Sequence, residues 1–307
     1  MPQTFIGCDL ARGWIDTHSL PSGATARIKN TPDAIIRWAT SLPEDALVVF
    51  EATSGCDGPL IATLSRRGLA YARVNPRQAR EFTRAIGVQA KTDRVDARIL
   101  AQMGEKLDLT PTVPRSPARV RLSDLLRRRR QLVEMRKAEK VRRHDAGGAD
   151  IRAEIDRMIR ILDRRALTMD RTIADLIAAD PDLARQAALL RAVPGIGPTV
   201  LAVLLGDLPE LGRLDRRRIA SLAGLAPHAR ESGTWRGTRR IWGGRRRVRE
   251  ALYIAALSAA RRIPALIAMR DRLREAGKAP KTALIAVARQ LLVVLNAMLR
   301  SNQPIRL

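Results

Sequence analysis

The chain has few of the residues that build covalent cross-links or soft-metal sites. Only two cysteines occur in 307 residues, Cys8 and Cys56, without metal-ligand spacing. That excludes a disulfide framework and fits a reducing compartment, the cytoplasm. His18, His144 and His228 also lack ligand spacing and read as polar or structural side chains; His228 stands four residues before Ser232. Aromatics make up 3%, so stacking of bases on exposed rings is not the main binding mode. Trp235 and Trp242 remain open to either stacking or burial. Long apolar runs are missing: Ala283 to Ala288 and Leu291 to Leu295 are each too short to cross a bilayer. No basic region followed by an apolar stretch opens the chain, so no signal peptide is expected. No repeat or low-complexity tract is present.

Acid is also scarce. Fifty-six Lys and Arg face 31 Asp and Glu, a formal net charge of +25 and a pI near 11.6. Such a surface suits a polyanion, because each neutralised phosphate releases condensed counterions. A basic membrane-surface protein would need an amphipathic anchor or a long apolar span, and no membrane partner is expected. The excess is uneven: 14 basic against 12 acidic residues in 1–112, 19 against 12 in 113–190, and 23 against 7 in 191–307. The polyanion contact is therefore expected mostly in the C-terminal two-thirds.

Hydrophobic patterning divides the chain into three parts. In residues 1–112, strands are expected over 4–9, 13–18 and 24–29, with turns at Arg12-Gly13 and Pro21-Ser22-Gly23. Thr31-Pro32-Asp33 reads as a helix start, with Thr31 as N-cap. The run ALVVFE, 46–51, is a strand covered on both faces. A helix near 58–67, a strand at 70–74 and helices near 76–85 and 92–103 complete the order of a ribonuclease-H-like (RuvC-like) α/β domain. Pro111, Pro114 and Pro117 mark a linker. Residues 113–182 are Arg-, Leu- and Ile-rich, and Ile151, Ile155, Met158, Leu162, Ala166, Met169, Ile173 and Leu176 follow at steps of three or four, an apolar stripe close to a heptad seam. The break at Asp145-Ala146-Gly147-Gly148 gives a helical arm, either an antiparallel hairpin, a coiled-coil dimerisation element or a plain two-helix packing unit. Residues 183–307 read as an all-α domain with several turns.

Four carboxylates stand out within the first part. Asp9 ends the first strand, Glu51 ends the fourth, and Asp93 and Asp96 lie three apart in KTDRVDA, on one face of a helix. In a ribonuclease-H-like sheet the first and fourth strands are adjacent, so the four acids can converge. Two divalent cations held by such oxygen ligands can activate a nucleophile and stabilise a leaving oxygen in phosphodiester cleavage; Mg2+ or Mn2+ is the expected cofactor. The bland alternative is that Asp93 favours a helix start and Asp96 pairs with an arginine.

These residues carry a resemblance. Asp9 in FIGCDLARGWID, Glu51 in VVFEATSG, the run NPRQAREFTRAIGVQAKTDRVDARILAQ and the later IWGGRRRVREALYIAALSA resemble the DEDD transposases of insertion-sequence family one-hundred-and-ten, over roughly residues 4–103 and 188–300. The resemblance implies an N-terminal domain like the Holliday-junction resolvases and a C-terminal "transposase-twenty" domain. It implies a recombinase that excises and inserts its own element, guided by a structured bridge RNA pairing with target and donor DNA. A homo-oligomer, dimer or tetramer, built through the helical arm is implied too, and a cytoplasmic, nucleoid-associated location follows. It further implies that Ser232 in HARESGTWRG attacks DNA to form a phosphoserine link, with the four acids binding magnesium to assist, in a composite site that can draw Ser232 from another subunit. Where the family commonly has an aromatic residue after the glutamate, this chain has Cys56, and it is short for the family.

Read by themselves, the surroundings of Ser232 are a Ser-Gly turn in a basic stretch. Arg230, Arg236, Arg239, Arg240, Arg245, Arg246, Arg247 and Arg249 crowd around it, with Gly237, Gly243 and Gly244. Arginine forks could hold the scissile phosphate and its developing charge, or simply grip phosphates without chemistry. LRAVPGIGPTVLAVLLGDL resembles a helix-hairpin-helix, in which Gly195 and Gly197 would free amides for a phosphate or serve a packing turn. Two rival functions stay open: a metal-dependent nuclease or junction resolvase in which water attacks, and a non-catalytic nucleic-acid packaging protein.

Overall fold

The computed structural model describes residues 4–52, 55–87, 93–228, 231–232, 235–236 and 240–304; the side chains of 93–95, 228, 231–232 and 235–236 lie outside that description. Among these residues the chain forms two compact units, Met1–Pro114 and Arg115–Leu307.

The first unit is a five-stranded mixed sheet in the order β3-β2-β1-β4-β5. Its strands are β1 (Thr4–Leu10), β2 (Trp14–Leu20), β3 (Thr25–Lys29), β4 (Ala46–Glu51) and β5 (Ala70–Val74). The first three form an antiparallel meander, and β4 and β5 join β1 in parallel. Four helices connect and cover the sheet: α1 (Pro32–Thr40), α2 (Gly58–Arg67), α3 (Pro76–Ala85) and α4 (Asp93–Lys106). The order of elements is the one the sequence pattern gives. Thr31 occupies the N-cap of α1 as expected, although its side chain makes no capping bond. All of β4 except Glu51 is buried, because alternate residues feed two cores. Ile6, Cys8, Val48 and Phe50 pack with Ile35 of α1 and Leu60 and Leu64 of α2. Leu47, Val49, Ala72 and Val74 pack with Leu100 and Met103 of α4.

Two long helices, α5 (Pro117–Asp145) and α6 (Ala149–Ala179), open the second unit, and the break between them falls where the glycines were read. Ser116 caps α5 by accepting from the Arg119 amide, and Pro117 stands at its first turn. The pair is antiparallel. Arg129 meets Asp170, Arg136 meets Asp163 at 2.5 Å and Arg143 meets Asp156 at 2.6 Å, so the cross-helix ion pairs recur every seven residues. Leu132, Leu162 and Ala166 form a small core of their own beneath this ladder. Of the stripe read from sequence, Ile155, Leu162, Ala166 and Ile173 are buried, while Ile151 and Met158 are exposed. The base of the pair belongs to a larger core: Leu122, Leu125, Leu126, Ile173 and Ile177 pack with the helices that follow.

Those helices are α7 (Pro181–Arg191), α8 (Pro198–Asp207), α9 (Arg216–Leu222), α10 (Arg246–Arg262), α11 (Pro264–Glu275) and α12 (Pro280–Ser301). Between α9 and α10 the expectation of an all-helical domain needs correction. Strands β6 (Pro227–His228), β7 (Glu231–Ser232), β8 (Trp235–Arg236) and β9 (Arg240–Ile241) pair in two nested antiparallel ladders. The cue was in the sequence: Ser232 and Trp235 flank a Gly-Thr dipeptide, a two-residue hairpin signal that the crowd of arginines obscured.

The two apolar runs of the C-terminal segment, short when taken singly, are joined through Arg289 and Gln290 into α12. By length and composition this helix is long and apolar enough to cross a membrane, but half of that stretch is buried within the protein. Leu291, Leu292 and Leu295 are fully buried at the centre of the second core. The buried Asn296 amide accepts from the Gly212 amide and donates to the Leu214 carbonyl, both at 2.8 Å, which ties the 209–215 loop to α12.

Candidate active site

Placement of the acids follows from one glycine. On β1 the odd residues face α4, so Phe5, Gly7 and Asp9 share that side. A Cβ on Gly7 would fall 1.9 Å from the Ala97 carbonyl oxygen and 2.4 Å from the Ala101 amide nitrogen. The α4 backbone therefore lies directly on the strand, which only glycine permits. Further along, a Cβ on Gly104 would meet Val49 Cγ2 at 2.9 Å and Phe5 Cδ1 at 3.2 Å. The helix thus runs antiparallel to β1 and β4, and its first turn, with Asp93 and Asp96, points toward their C-terminal ends. Asp9 and Glu51 sit at those ends. The parallel register Cys8↔Phe50 makes them the next residues in line, on the same face. Asp9, Glu51 and Asp96 are each half-buried. The side chain of Asp93 lies outside the described residues. Among the described residues no three His, Cys, Asp or Glu side chains form a group able to hold a metal ion.

Gly7→Ala is expected to cost about 3 kcal/mol or more of stability, because the methyl overlaps backbone that cannot rotate away. Urea unfolding measures it; a wild-type midpoint would contradict the close approach of α4.

Two further residues set the geometry of this sheet end. Asp16 lies directly across β1 from Asp9 and would add a like charge, but Arg27 on β3 holds it in a two-pronged pair at 2.7 and 2.8 Å. Asn30 donates through Nδ2 to the Ala11 carbonyl at 2.8 Å and to the Cys56 carbonyl at 3.0 Å. It clamps the loops that leave the strands bearing Asp9 and Glu51. Neither role was legible from spacing, since both depend on cross-sheet neighbours. The thiol of Cys8 is pushed well above its ordinary pKa by complete burial and then by the charge of Asp9, so it is an inert core group. Burial, then the charge of Arg98 on α4, lowers the pKa of His18 opposite Gly7, which keeps that imidazole neutral near pH 7.

In the second unit Ser232 is the residue of β7 paired with Trp235, one step from the tip of the inner ladder. Arg236 pairs with Glu231, and Arg240 with His228, in the same excursion. Arg230, Arg239 and Gly237 lie outside the described residues, as do the side chains of Ser232 and Arg236. The arginines after the hairpin have internal duties. Arg245 forks onto Glu210 at 2.5 and 2.6 Å and donates to the Asp207 carbonyl at 3.0 Å. Arg246 pairs with Glu250 one turn on at 2.7 Å. Arg249 donates to the Gly243 carbonyl at 2.7 Å. Arg247 stands 3.8 Å from Asp207. A packing role accounts for Gly195, with φ of 99° and a Cβ that would fall 2.5 Å from the Ala255 carbonyl oxygen of α10. Gly197 is the exposed N-cap of α8.

The Arg245–Glu210 fork anchors the root of the hairpin and carries a pH signature. Burial opposes ionisation of Glu210, but the Arg245 hydrogen bonds and charge prevail and hold its pKa below the ordinary glutamate value of about 4.3. A carboxylate depressed on folding contributes stability above its unfolded pKa and loses it as pH falls through the folded one. Thermal melts below pH 5 should therefore fall more steeply for wild type than for Glu210→Gln; parallel curves would refute the assignment.

Two family models and several known proteins match this chain. Residues 18–146 match the family model for the DEDD transposase of IS110, described as "Transposase", and residues 187–271 match one described as "Transposase IS116/IS110/IS902 family". A pilin gene-inverting protein from Moraxella lacunata is 29% identical over 99% of this chain and 98% of its own length. Another, from Moraxella bovis, is 31% identical over 75% of this chain and 73% of its own. An uncharacterized insertion element IS110 protein from Streptomyces coelicolor is 38% identical over 45% of this chain and 33% of its own. The chain belongs to the IS110 family of transposases and is a DNA transposase/recombinase.

Proposed function

We propose that this protein excises and inserts, or inverts, a DNA segment by breaking and rejoining strands through a covalent serine intermediate, under the guidance of a structured bridge RNA. The observation that supports the reading is that β1 and β4, which end in Asp9 and Glu51, are parallel neighbours covered by α4, whose first turn lies toward that sheet end, in a strand order compatible with a ribonuclease-H-like fold. In this proposal residues 1–112 serve metal chemistry, 113–182 form an arm through which copies associate, and 183–307 carry the serine.

The proposed donors suit a hard cation, being carboxylate oxygens on strand ends and on a helix whose approach is fixed by Gly7. Asp9, Glu51, Asp93 and Asp96 would hold Mg2+ or Mn2+, which when bound lowers the cost of negative charge on a phosphate oxygen. The rest belongs to the chain. Ser232 Oγ attacks a DNA phosphorus, a phosphoserine bond forms, the bond to one deoxyribose oxygen breaks, and that oxygen takes a proton as Oγ loses one. Reversal on a second DNA end rejoins the strands and frees the serine. Arg230, Arg236, Arg239 and Arg240 on the hairpin would hold the phosphate as its charge develops. Incubation with element-end DNA, co-purified RNA and Mg2+, followed by a denaturing gel, tests this: a labelled strand bound to protein supports it, and free ends alone favour attack by water.

A further inference from the structure

One cluster of cations in the second unit has no part in the reaction just outlined. The end of α8 is where α5 crosses it: a Cβ on Gly206 would fall 2.6 Å from Leu126 Cδ1 and 3.1 Å from Leu122 Cγ. Deeper in the contact the Arg119 guanidinium donates to the Leu205 carbonyl at 2.8 Å, and it pairs with Asp182, so it is satisfied. Arg127 and Arg130 follow Leu126 on the same stretch of α5. From the other side comes Arg247, in the first turn of α10, immediately beyond the hairpin that bears Ser232. Its guanidinium is little more than a third exposed and 3.8 Å from Asp207, too far for a strong hydrogen bond. Arg247 thus reaches the largely buried Asp207 from α10, while Arg127 and Arg130 approach the same junction from the stretch of α5 that packs on Gly206. Burial, then the charges of Arg130 and Arg127, lower the pKa of Arg247, against the opposing pull of Asp207. Arg127 has a counter-charge in Asp124 at 3.0 Å on its own helix. Arg246, the neighbour, pairs with Glu250 and feels Glu134 more weakly. Positive charge is left in excess at the junction, and gathered guanidinium groups that repel one another are relieved by an anion that accepts from several at once.

We propose that Arg127, Arg130 and Arg247 form a phosphate-binding site at the junction of α5, α8 and α10, taking one backbone phosphodiester of a nucleic acid. It rests on the reading of the chain as a nucleic-acid recombinase and adds a contact at the root of the serine hairpin. The site fixes where a strand enters or leaves the hairpin, a positioning role with no share in the chemistry. DNA and RNA offer the same phosphate, and the test separates them.

Arg130 is exposed, so Arg130→Gln leaves packing intact. Its partner control is Arg274→Gln, an exposed arginine on α11 whose loss changes net charge equally. The full-length protein is titrated onto a labelled DNA duplex and, separately, a labelled RNA strand, over a series of salt concentrations. For the probe that occupies the site, Arg130→Gln reduces the slope of log affinity against log salt by about 1 and weakens binding roughly tenfold at low salt, while Arg274→Gln keeps the wild-type slope. A wild-type slope for Arg130→Gln on both probes overturns the site. Equal losses in the two variants overturn it as well, by reducing the effect to net charge. Absence of wild-type binding to either probe would remove the recombinase reading and this site together.

Discussion

Replacing Ser232 by alanine is expected to abolish the covalent protein–DNA product, lowering strand exchange by roughly three orders of magnitude or more, while DNA binding stays within about twofold of wild type. The separation of the two effects comes from the hairpin. Ser232 is held by the ladder to Trp235, which uses backbone groups that alanine retains. In this proposal phosphate affinity is spread over the arginines around it, so removing one neutral hydroxyl is expected to subtract little from binding. Chemistry is different, because a missing Oγ removes the bond-forming atom, and none of the neighbouring arginines can replace it as a nucleophile. A cysteine in its place restores a nucleophile but not the acidity or size of the hydroxyl, and should give at most traces of adduct. Gel mobility of labelled DNA after denaturation reads the outcome. Undiminished adduct in Ser232→Ala would move the nucleophile elsewhere. Unchanged strand cleavage with free ends would make water the attacking group and the protein a resolvase-like nuclease.

Most of the first unit is legible in the sequence, for a physical reason. Strand β4 is buried on both faces and so spells a continuous apolar run, and helix starts at Pro32 and Pro76 announce themselves through proline chemistry. The segment Asp145 to Gly148 breaks a long helix wherever it occurs. What escaped the sequence depends on partners distant in the chain. The fork of Arg27 onto Asp16 exists because β3 and β2 are in register, and nothing local distinguishes that aspartate from any other on a strand. Asn30 looks like an ordinary residue before a helix, yet its amide bridges two loops. The serine hairpin was missed because its apolar content is too small to show period-two alternation. In the sequence Arg245 stands among candidate phosphate ligands, and the fold uses it to hold Glu210. Charge alone does not say which arginine turns inward; that needs the buried acid beside it.

Magnesium should stabilise the wild-type protein and not the variants Asp9→Asn or Glu51→Gln, and the same variants should lose strand exchange by about a hundredfold to ten-thousandfold. Both expectations follow from the parallel register of β1 and β4. With Cys8 beside Phe50, the next residue on each strand is a carboxylate on the α4 face, at a strand spacing near 4.8 Å. Like charges held close on one face raise the energy of the folded state, and a divalent cation bound by both lowers it. A cation that binds only the folded form adds RT ln(1 + [L]/Kd), about 2.7 kcal/mol at a hundred times Kd. Asparagine and glutamine keep the shape and remove the charge, so they weaken the cation without opening a cavity. Thermal melts with and without MgCl2 at constant ionic strength give the first measurement, and they need no DNA, RNA or turnover. Asp96→Asn should behave in the same way, because Gly7 fixes the register of α4 and brings its first turn to the same sheet end. Asp16→Asn serves as the contrast: its charge is already taken by Arg27, so it should lose stability through the broken fork yet keep the magnesium shift. Equal magnesium shifts in wild type, Asp9→Asn and Glu51→Gln would mean that the acids of this sheet end hold no cation, and the catalytic role proposed for them would fall with it.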